Sequence, residues 1–155
     1  MKKRVNLLAV VIVILCIGYV TTCNTTQQDA LPAKTVITGD TVVPTYSPGV
    51  LVGNTLYLAG KIGINPETSE IGDNIRDQTR FALEAFKPVL DKAGMSMSDI
   101  VSVNVYLTHL DDYEAMNEVY TTFFPKDPPA RATVAVLGLV RGALIEISCI
   151  AVKSQ

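Results

Sequence analysis

The chain has 155 residues, enough for one domain with a substantial core, and its 13 Lys and Arg stand against 15 Asp and Glu. Residues 1–22 hold three positive charges and no negative ones, so the remainder has 10 positive and 15 negative charges, a net charge of −5. A nucleic-acid partner would require a basic face, so this charge argues against one.

Residues 1–23 have the pattern of an export signal. A basic start is followed by a 14-residue apolar run, Leu7 to Val20, which is shorter than the roughly 18 residues expected of a spanning helix. The run ends at Cys23 and resembles a bacterial lipoprotein signal in which Cys23 is lipidated, although Thr22 stands where such signals prefer Gly, Ala or Ser. Plain secretion and an uncleaved anchor are the alternatives. Each would place the domain in the cell envelope or periplasm, with membrane contact only through the N-terminus.

Residues 24–34 are polar and predict a linker. The chain is therefore divided into an export signal (1–23), this linker and a folded domain (35–155), which begins with a short strand at Thr35–Ile37.

The cysteines predict no disulfide framework. Cys16 and Cys23 belong to the N-terminal segment, so Cys149 is left without an intramolecular partner. Cys149 alternates with Ile145 and Ile147, which indicates a small side chain in the core.

A hairpin begins the main part of the domain. Val50–Val52 and Thr55–Ala59 read as strands joined by the two-residue turn Gly53-Asn54. Gly60 and Gly63 then predict a bulge, or a place where another group approaches the backbone closely.

Two helices are predicted. The first runs from about Ile75 to Ala93 with a kink at Pro88. The second runs from Asp112 to about Phe124, with Asp111 as N-cap and Glu114 completing a capping box. The residues of the second helix that should face the core are Tyr113, Met116, Val119, Tyr120 and Phe123, with Asn117 at the edge of this stripe.

Two charged residues stand out in the last apolar strands. Pro128 and Pro129 force an extended entry, and Arg131 follows them at the start of a strand; Glu146 lies in the strand after it. Such charges on adjacent apolar strands are expensive to bury unless they are paired or used. A structural ion pair or two solvated edge charges would explain them, as would a carboxylate-binding Arg beside a Glu that handles protons.

The element order, with a further strand at Asp99–Leu107, predicts one mixed sheet with both helices on a single face. In the last strand, Leu144, Ile150 and Val152 alternate to the opposite face, which is therefore also apolar. A second copy is the natural cover for that face, so we expect a homo-oligomer.

From Tyr46 to Val152 the chain resembles the Rid family, the reactive intermediate deaminases of YjgF type. Its most specific signal is Pro-Ala-Arg followed at the right distance by Ile-Glu-Ile. The residues that carry the resemblance are Tyr46, Gly49, Gly53-Asn54, Leu58–Ile62, Asn65-Pro66, Lys92–Gly94, Asp99–Val101, Asn117, Phe123-Phe124, Pro129–Arg131, Ile145–Ile147 and Ile150–Val152.

The resemblance implies an α+β, chorismate-mutase-like subunit that forms a homotrimer with a central barrel and ligand clefts at the subunit interfaces. It implies hydrolysis of 2-enamine and 2-imino acids to 2-oxo acids and ammonia, with no metal or cofactor.

It also implies residue roles. Arg131 matches the arginine that grips the substrate carboxylate, Glu146 the glutamate near the attacking water, and Tyr46 a tyrosine lining the cleft. The other matched pocket positions are Gly60, Asn117 and Thr133. Thr133 stands where the best-known members have Cys, and Lys61 where Gln is common, which predicts a changed pocket floor.

Two other functions are open. A non-catalytic trimeric protein could keep Arg131 to bind small carboxylates. A ribonuclease role is disfavoured by the net charge of −5 and by the expected export.

Overall fold

The computed structural model describes residues 32–38 and 44–153. The expected export signal with Cys23, and the linker as far as residue 31, lie outside the described residues. Within the described part, no helix has the length and apolar character needed to span a membrane.

Six strands form one sheet, as predicted. Their order across the sheet is β1-β2-β3-β6-β4-β5, and every neighbouring pair is antiparallel except β4 and β5, which are parallel. The predicted hairpin joins β2 to β3, and Gly53 in its turn has a φ of 61°, which glycine adopts without strain. The bounds are Lys34–Ile37 (β1), Gly49–Val52 (β2), Thr55–Ile62 (β3), Ile100–Leu107 (β4), Ala130–Ala135 (β5) and Ile145–Val152 (β6).

A bulge interrupts the pairing of β3 with β6, which confirms the prediction made from the glycines. Leu58 pairs with Cys149, but the next pair is Lys61 with Ile147, so β3 has two residues where β6 has one. The extra residue changes the alternation along β3, and Lys61 turns toward the same face of the sheet as Leu58.

The first predicted helix is divided in two. The helices are Ile75–Glu84 (α1), Lys87–Lys92 (α2) and Tyr113–Phe123 (α3). The prediction of one kinked helix is wrong because Pro88 has no N–H to donate to the carbonyl of Glu84. The helix therefore ends at Glu84, and a second helix begins at Lys87. Pro88 lies in the first turn of this second helix, α2, where a missing N–H donor costs nothing.

The predicted cap of α3 is also wrong. A 3₁₀ turn at Leu110–Asp112 runs directly into the helix, so the N-cap is Asp112 in a helical conformation with no side-chain hydrogen bond. Because the backbone is already helical before Tyr113, Asp111 cannot take the extended cap conformation.

All three helices pack on one face of the sheet, which is the arrangement predicted for the two helices expected from the sequence. Their buried residues join the inner side chains of the central strands in one core. Leu144, which was expected on the opposite face, packs against this core instead. The inner-face residues are Leu56 and Leu58 (β3), Val103, Val105 and Leu107 (β4), and Ile145, Ile147, Cys149 and Ala151 (β6).

Gly63 sets how closely α1 approaches the sheet. A Cβ added there would collide with the backbone of Gln78, a buried residue of α1. Gln78 also connects α1 to two other segments, because its amide donates to the carbonyl of Gly72 in the preceding loop and accepts from the N–H of Leu144, the residue before β6.

We expect Gly63→Ala to lower the free energy of unfolding by about 3 kcal/mol, since α1 must move away from a packed sheet. Urea denaturation of the full chain measures this loss. Gly138→Ala is the matched control, because a Cβ at Gly138 meets nothing within 4 Å. Equal stability of both variants would show that α1 is free to shift.

Candidate active site

Strand β5 places Arg131 at the edge of the sheet, on the helix-bearing face. The strand begins just after Pro128-Pro129 and pairs with β4 only. In this parallel register Arg131 lies beside Val103 and Thr133 lies beside Val105, two buried residues of the inner face. The side chains of Arg131 and Thr133 therefore both turn toward α3.

Helix α3 presents two tyrosines to Arg131. Tyr113, Asn117 and Tyr120 follow one another at spacings of four and three, so they share one face of the helix. Nη2 of Arg131 donates a hydrogen bond of 3.2 Å to the hydroxyl of Tyr113. The guanidinium carbon lies 4.5 Å from the ring centroid of Tyr120, in a cation–π contact.

Among the described residues, Arg131 has no acidic partner. None of the ion pairs formed within residues 32–38 and 44–153 includes it, and its side chain is only partly buried. A structural ion pair with Glu146 is therefore not the reason for this arginine. A guanidinium that is held by tyrosines but not neutralised keeps its planar fork available for a carboxylate.

Two hydroxyls beside Arg131 are buried without a partner in the described part of the chain, those of Tyr120 and Thr133. Burial raises the pKa of Tyr120 to about 12, and the charge of Arg131 opposes that rise only in part. The phenol is therefore neutral at ordinary pH. Buried hydroxyls usually bond to water or a ligand when no protein group does, so these two mark polar space next to the guanidinium.

Glu146 lies on the other face of the sheet. On β6 it pairs with Ile62 and Tyr106, and its neighbours in sequence turn into the core. Its carboxylate lies against Gly60 in the bulge, where any Cβ would collide with Oε1. Among the described residues, Glu146 accepts no hydrogen bond and forms no ion pair.

The candidate residues thus fall into separate groups. Arg131 and Thr133 lie on the helix side, where Asn117 shares the face of α3 that contacts Arg131, whereas Glu146 and Gly60 lie on the opposite side. The expectation that the Arg and Glu strands are adjacent is wrong, because β4 lies between β5 and β6. The sheet itself separates the two charges within one chain.

Tyr46 joins neither group within the chain. It lies in the segment before β2, its side chain is 52% exposed, and no hydrogen bond or ring contact in the described part involves it. A role in a cleft would therefore need a surface beyond the described residues of this chain.

Sequence reasoning placed Tyr113 and Tyr120 in the core and so missed their contact with Arg131. Tyr120 is indeed buried, but Tyr113 is 36% exposed and its hydroxyl faces the guanidinium. The available signal was their seven-residue spacing around Asn117 on the helix that precedes the arginine strand.

Cys149 is a core residue, as predicted. Its side chain is 3% exposed, and burial raises the pKa of the thiol to about 12, an effect that nearby Lys61 only partly opposes. The same burial lowers the pKa of Lys61. A thiol that stays protonated is a poor nucleophile, so Cys149 has no place in the proposed chemistry.

A cavity of about 680 Å³ lies away from both charged groups, between α2 and the end of α3, with Leu90 and Phe123 in its walls. In the described segments, no cluster of three or more His, Cys, Asp or Glu side chains is placed to hold a metal ion.

Several known proteins are similar to this chain in sequence and in fold. Residues 40–153 match the family model described as Endoribonuclease L-PSP. RutC family protein SSO3206 of Saccharolobus solfataricus is 47% identical over 110 residues, covering 70% of this chain and 87% of that protein. A 2-iminobutanoate/2-iminopropanoate deaminase of Dermatophagoides farinae is 43% identical over 108 residues, covering 69% and 84%.

Among solved structures, E. coli TdcF with bound serine superposes with a TM-score of 0.69 at 34% identity, covering 81% of this chain and 99% of that one. The family model and the relatives together cover most of the described domain. The chain therefore belongs to the endoribonuclease L-PSP family, the family of the Rid, YjgF and RutC proteins.

Proposed function

We propose that this protein is a hydrolytic deaminase that converts 2-enamine and 2-imino acids to 2-oxo acids and ammonia. The observation that carries the proposal is Arg131, a guanidinium that two tyrosines hold at the edge of the sheet and that has no anionic partner among the described residues. The 43% identical relative named as a 2-iminobutanoate/2-iminopropanoate deaminase supports the same chemistry.

Arg131 supplies the binding step. Its fork forms two parallel hydrogen bonds with the substrate carboxylate, which fixes the neighbouring imine carbon in position. Gly60, Asn117, Thr133 and Tyr46 complete the proposed cleft. The positioned imine carbon is then open to attack by water from one side.

Glu146 supplies the proton transfers. Water adds to C2 of the protonated imine while Glu146 takes a proton from it, which gives a carbinolamine. The nitrogen is then protonated, the C–N bond breaks, and the carbinolamine hydroxyl becomes the carbonyl of the 2-oxo acid as its proton passes to the leaving ammonia, which departs as ammonium. Glu146 returns its proton to the nitrogen, so the enzyme ends in its starting state.

The cleft requires two copies of the chain. Arg131 and Glu146 lie on opposite faces of one sheet, so one protomer must contribute Arg131 and its neighbour Glu146. The outer face is also suited to burial against another copy, because Val36, Tyr57 and Val134 expose 46%, 51% and 48% of their surfaces. Ile150 and Val152 extend this apolar surface on β6. We propose a homotrimer with one cleft at each seam.

We expect Arg131→Ala to reduce imine hydrolysis by at least about 100-fold, because a charged partner of the carboxylate is lost. An amino-acid oxidase generates the imine, semicarbazide traps it, and active protein lowers semicarbazone formation. Arg141→Ala is the control, since among the described residues Arg141 donates only to the carbonyl of Ser69. A wild-type protein that binds 2-oxobutanoate but leaves semicarbazone formation unchanged would instead be the non-catalytic binding protein.

Mixing two inactive variants tests whether the cleft is shared. If Arg131→Ala and Glu146→Ala chains are unfolded together and refolded, each mixed trimer regains one intact seam. Random assembly then restores about one quarter of the wild-type sites. The imine-trapping assay measures this recovery, with the two variants refolded separately as controls. No recovery, with mixed trimers present by mass, would contradict a cleft that takes one charge from each copy.

We also propose that the domain is exported to the cell envelope and lipid-anchored at Cys23. Mass spectrometry of the protein isolated from a bacterial host should show a chain that begins at Cys23 with a diacylglycerol and an added acyl group. A Cys23→Ala chain should lack this added mass. An intact Met1 in the isolated protein would show that the signal is not processed.

A further inference from the structure

The hydroxyl of Tyr113 accepts a hydrogen bond from Arg131. Tyr113 is the first residue of α3, and its guanidinium contact is 3.2 Å from Nη2 to the phenol oxygen. The ring is 36% exposed, so this bond forms at the surface of the chain, where an arginine is ordinarily free to change rotamer.

The two tyrosines constrain different motions of the guanidinium. The Tyr120 ring lies 4.5 Å from the guanidinium carbon, whereas the ring of Tyr113 is farther away, at 5.7 Å. The ring of Tyr120 thus provides a surface against which the guanidinium lies. Tyr113 accepts a hydrogen bond from one N–H and so restricts rotation of the guanidinium in its own plane. The remaining N–H groups, including the second one on Nη2, stay available to a ligand.

We propose that Tyr113 is a positioning residue that acts on the substrate through Arg131, by holding the guanidinium in its carboxylate-binding orientation before the ligand arrives. The inference rests on the proposed function, because it assumes that Arg131 binds the substrate carboxylate. Immobilising a long side chain in advance removes an entropic cost of binding. The gain is realised equally in the ground state and the transition state, so Tyr113 contributes to KM and not to kcat.

The test is Tyr113→Phe in the full-length protein, which removes the hydroxyl and keeps the ring. We expect KM for the imino acid to rise about fivefold, with kcat within about twofold of wild type. Binding of 2-oxobutanoate, measured by calorimetry, should weaken by the same factor. Thr122→Val is the matched control: it also removes a hydroxyl from α3, but one that is exposed and donates to the carbonyl of Val119, away from Arg131.

The same substitution made in an Arg131→Lys protein separates a positioning role of Tyr113 from a structural one. Lysine at position 131 keeps the charge but lacks the fork, so Tyr113→Phe in an Arg131→Lys protein should change KM by less than about twofold. A fivefold rise there as well would show that the hydroxyl acts independently of Arg131, and would overturn the inference. A normal KM for Tyr113→Phe in the wild-type background would also overturn it.

The outcomes also separate this inference from the proposed function. If Arg131→Ala hydrolyses imines and binds 2-oxobutanoate as the wild type does, the proposed function fails and the role of Tyr113 fails with it. If Arg131→Ala loses both activities while Tyr113→Phe keeps normal KM and binding, only the inference about Tyr113 fails.

Discussion

The parallel pairing of β5 with β4 is the constraint from which the proposed site follows. Parallel neighbours cannot be joined by a tight turn, so the chain must cross over the sheet between them, and α3 is that crossover. The helix therefore lies over the edge strand, and the face that carries Tyr113 and Tyr120 meets Arg131. An antiparallel edge strand reached by a hairpin would have left this arginine without a helix above it.

The sheet also separates Arg131 from Glu146, the two groups proposed to carry out the chemistry. Successive residues of a strand point to opposite faces, and the register assigns Arg131 to the face with Val103 and Glu146 to the face with Tyr106. Neither face alone holds both Arg131 and Glu146, the proposed carboxylate binder and the proposed base. In the proposed trimer, each subunit contributes one half of two sites, and association of the copies would join these halves and cover the exposed apolar surface.

The sequence was most informative where a single residue type has few roles. A charged residue on an apolar strand is costly, so Arg131 and Glu146 could be identified without a structure, and the glycines near the end of β3 predicted the bulge. The order of strands in the sheet could not be predicted, because no local pattern states that β4 lies between β5 and β6. The aromatic residues of α3 were ambiguous for a related reason: a tyrosine at helical spacing suits a core and a guanidinium contact equally well.

The break between α1 and α2 shows a different limit. Pro88 was rightly seen as a disturbance, but whether a proline kinks a helix or starts a new one depends on what the freed turn packs against. Here Phe86 lies at the break and is fully buried in the core, an environment that the local sequence pattern does not specify.

The bulge in β3 has a consequence for the electrostatics of the outer face. In an uninterrupted ladder continued from the pair of Leu58 with Cys149, the residue facing Glu146 would be Lys61. An ammonium directly across from the carboxylate would neutralise it and make it a weaker proton acceptor. The one additional residue turns Lys61 toward the helix-bearing face, where partial burial lowers its pKa, and leaves Ile62 across from Glu146, so the carboxylate faces an apolar neighbour and not an ammonium.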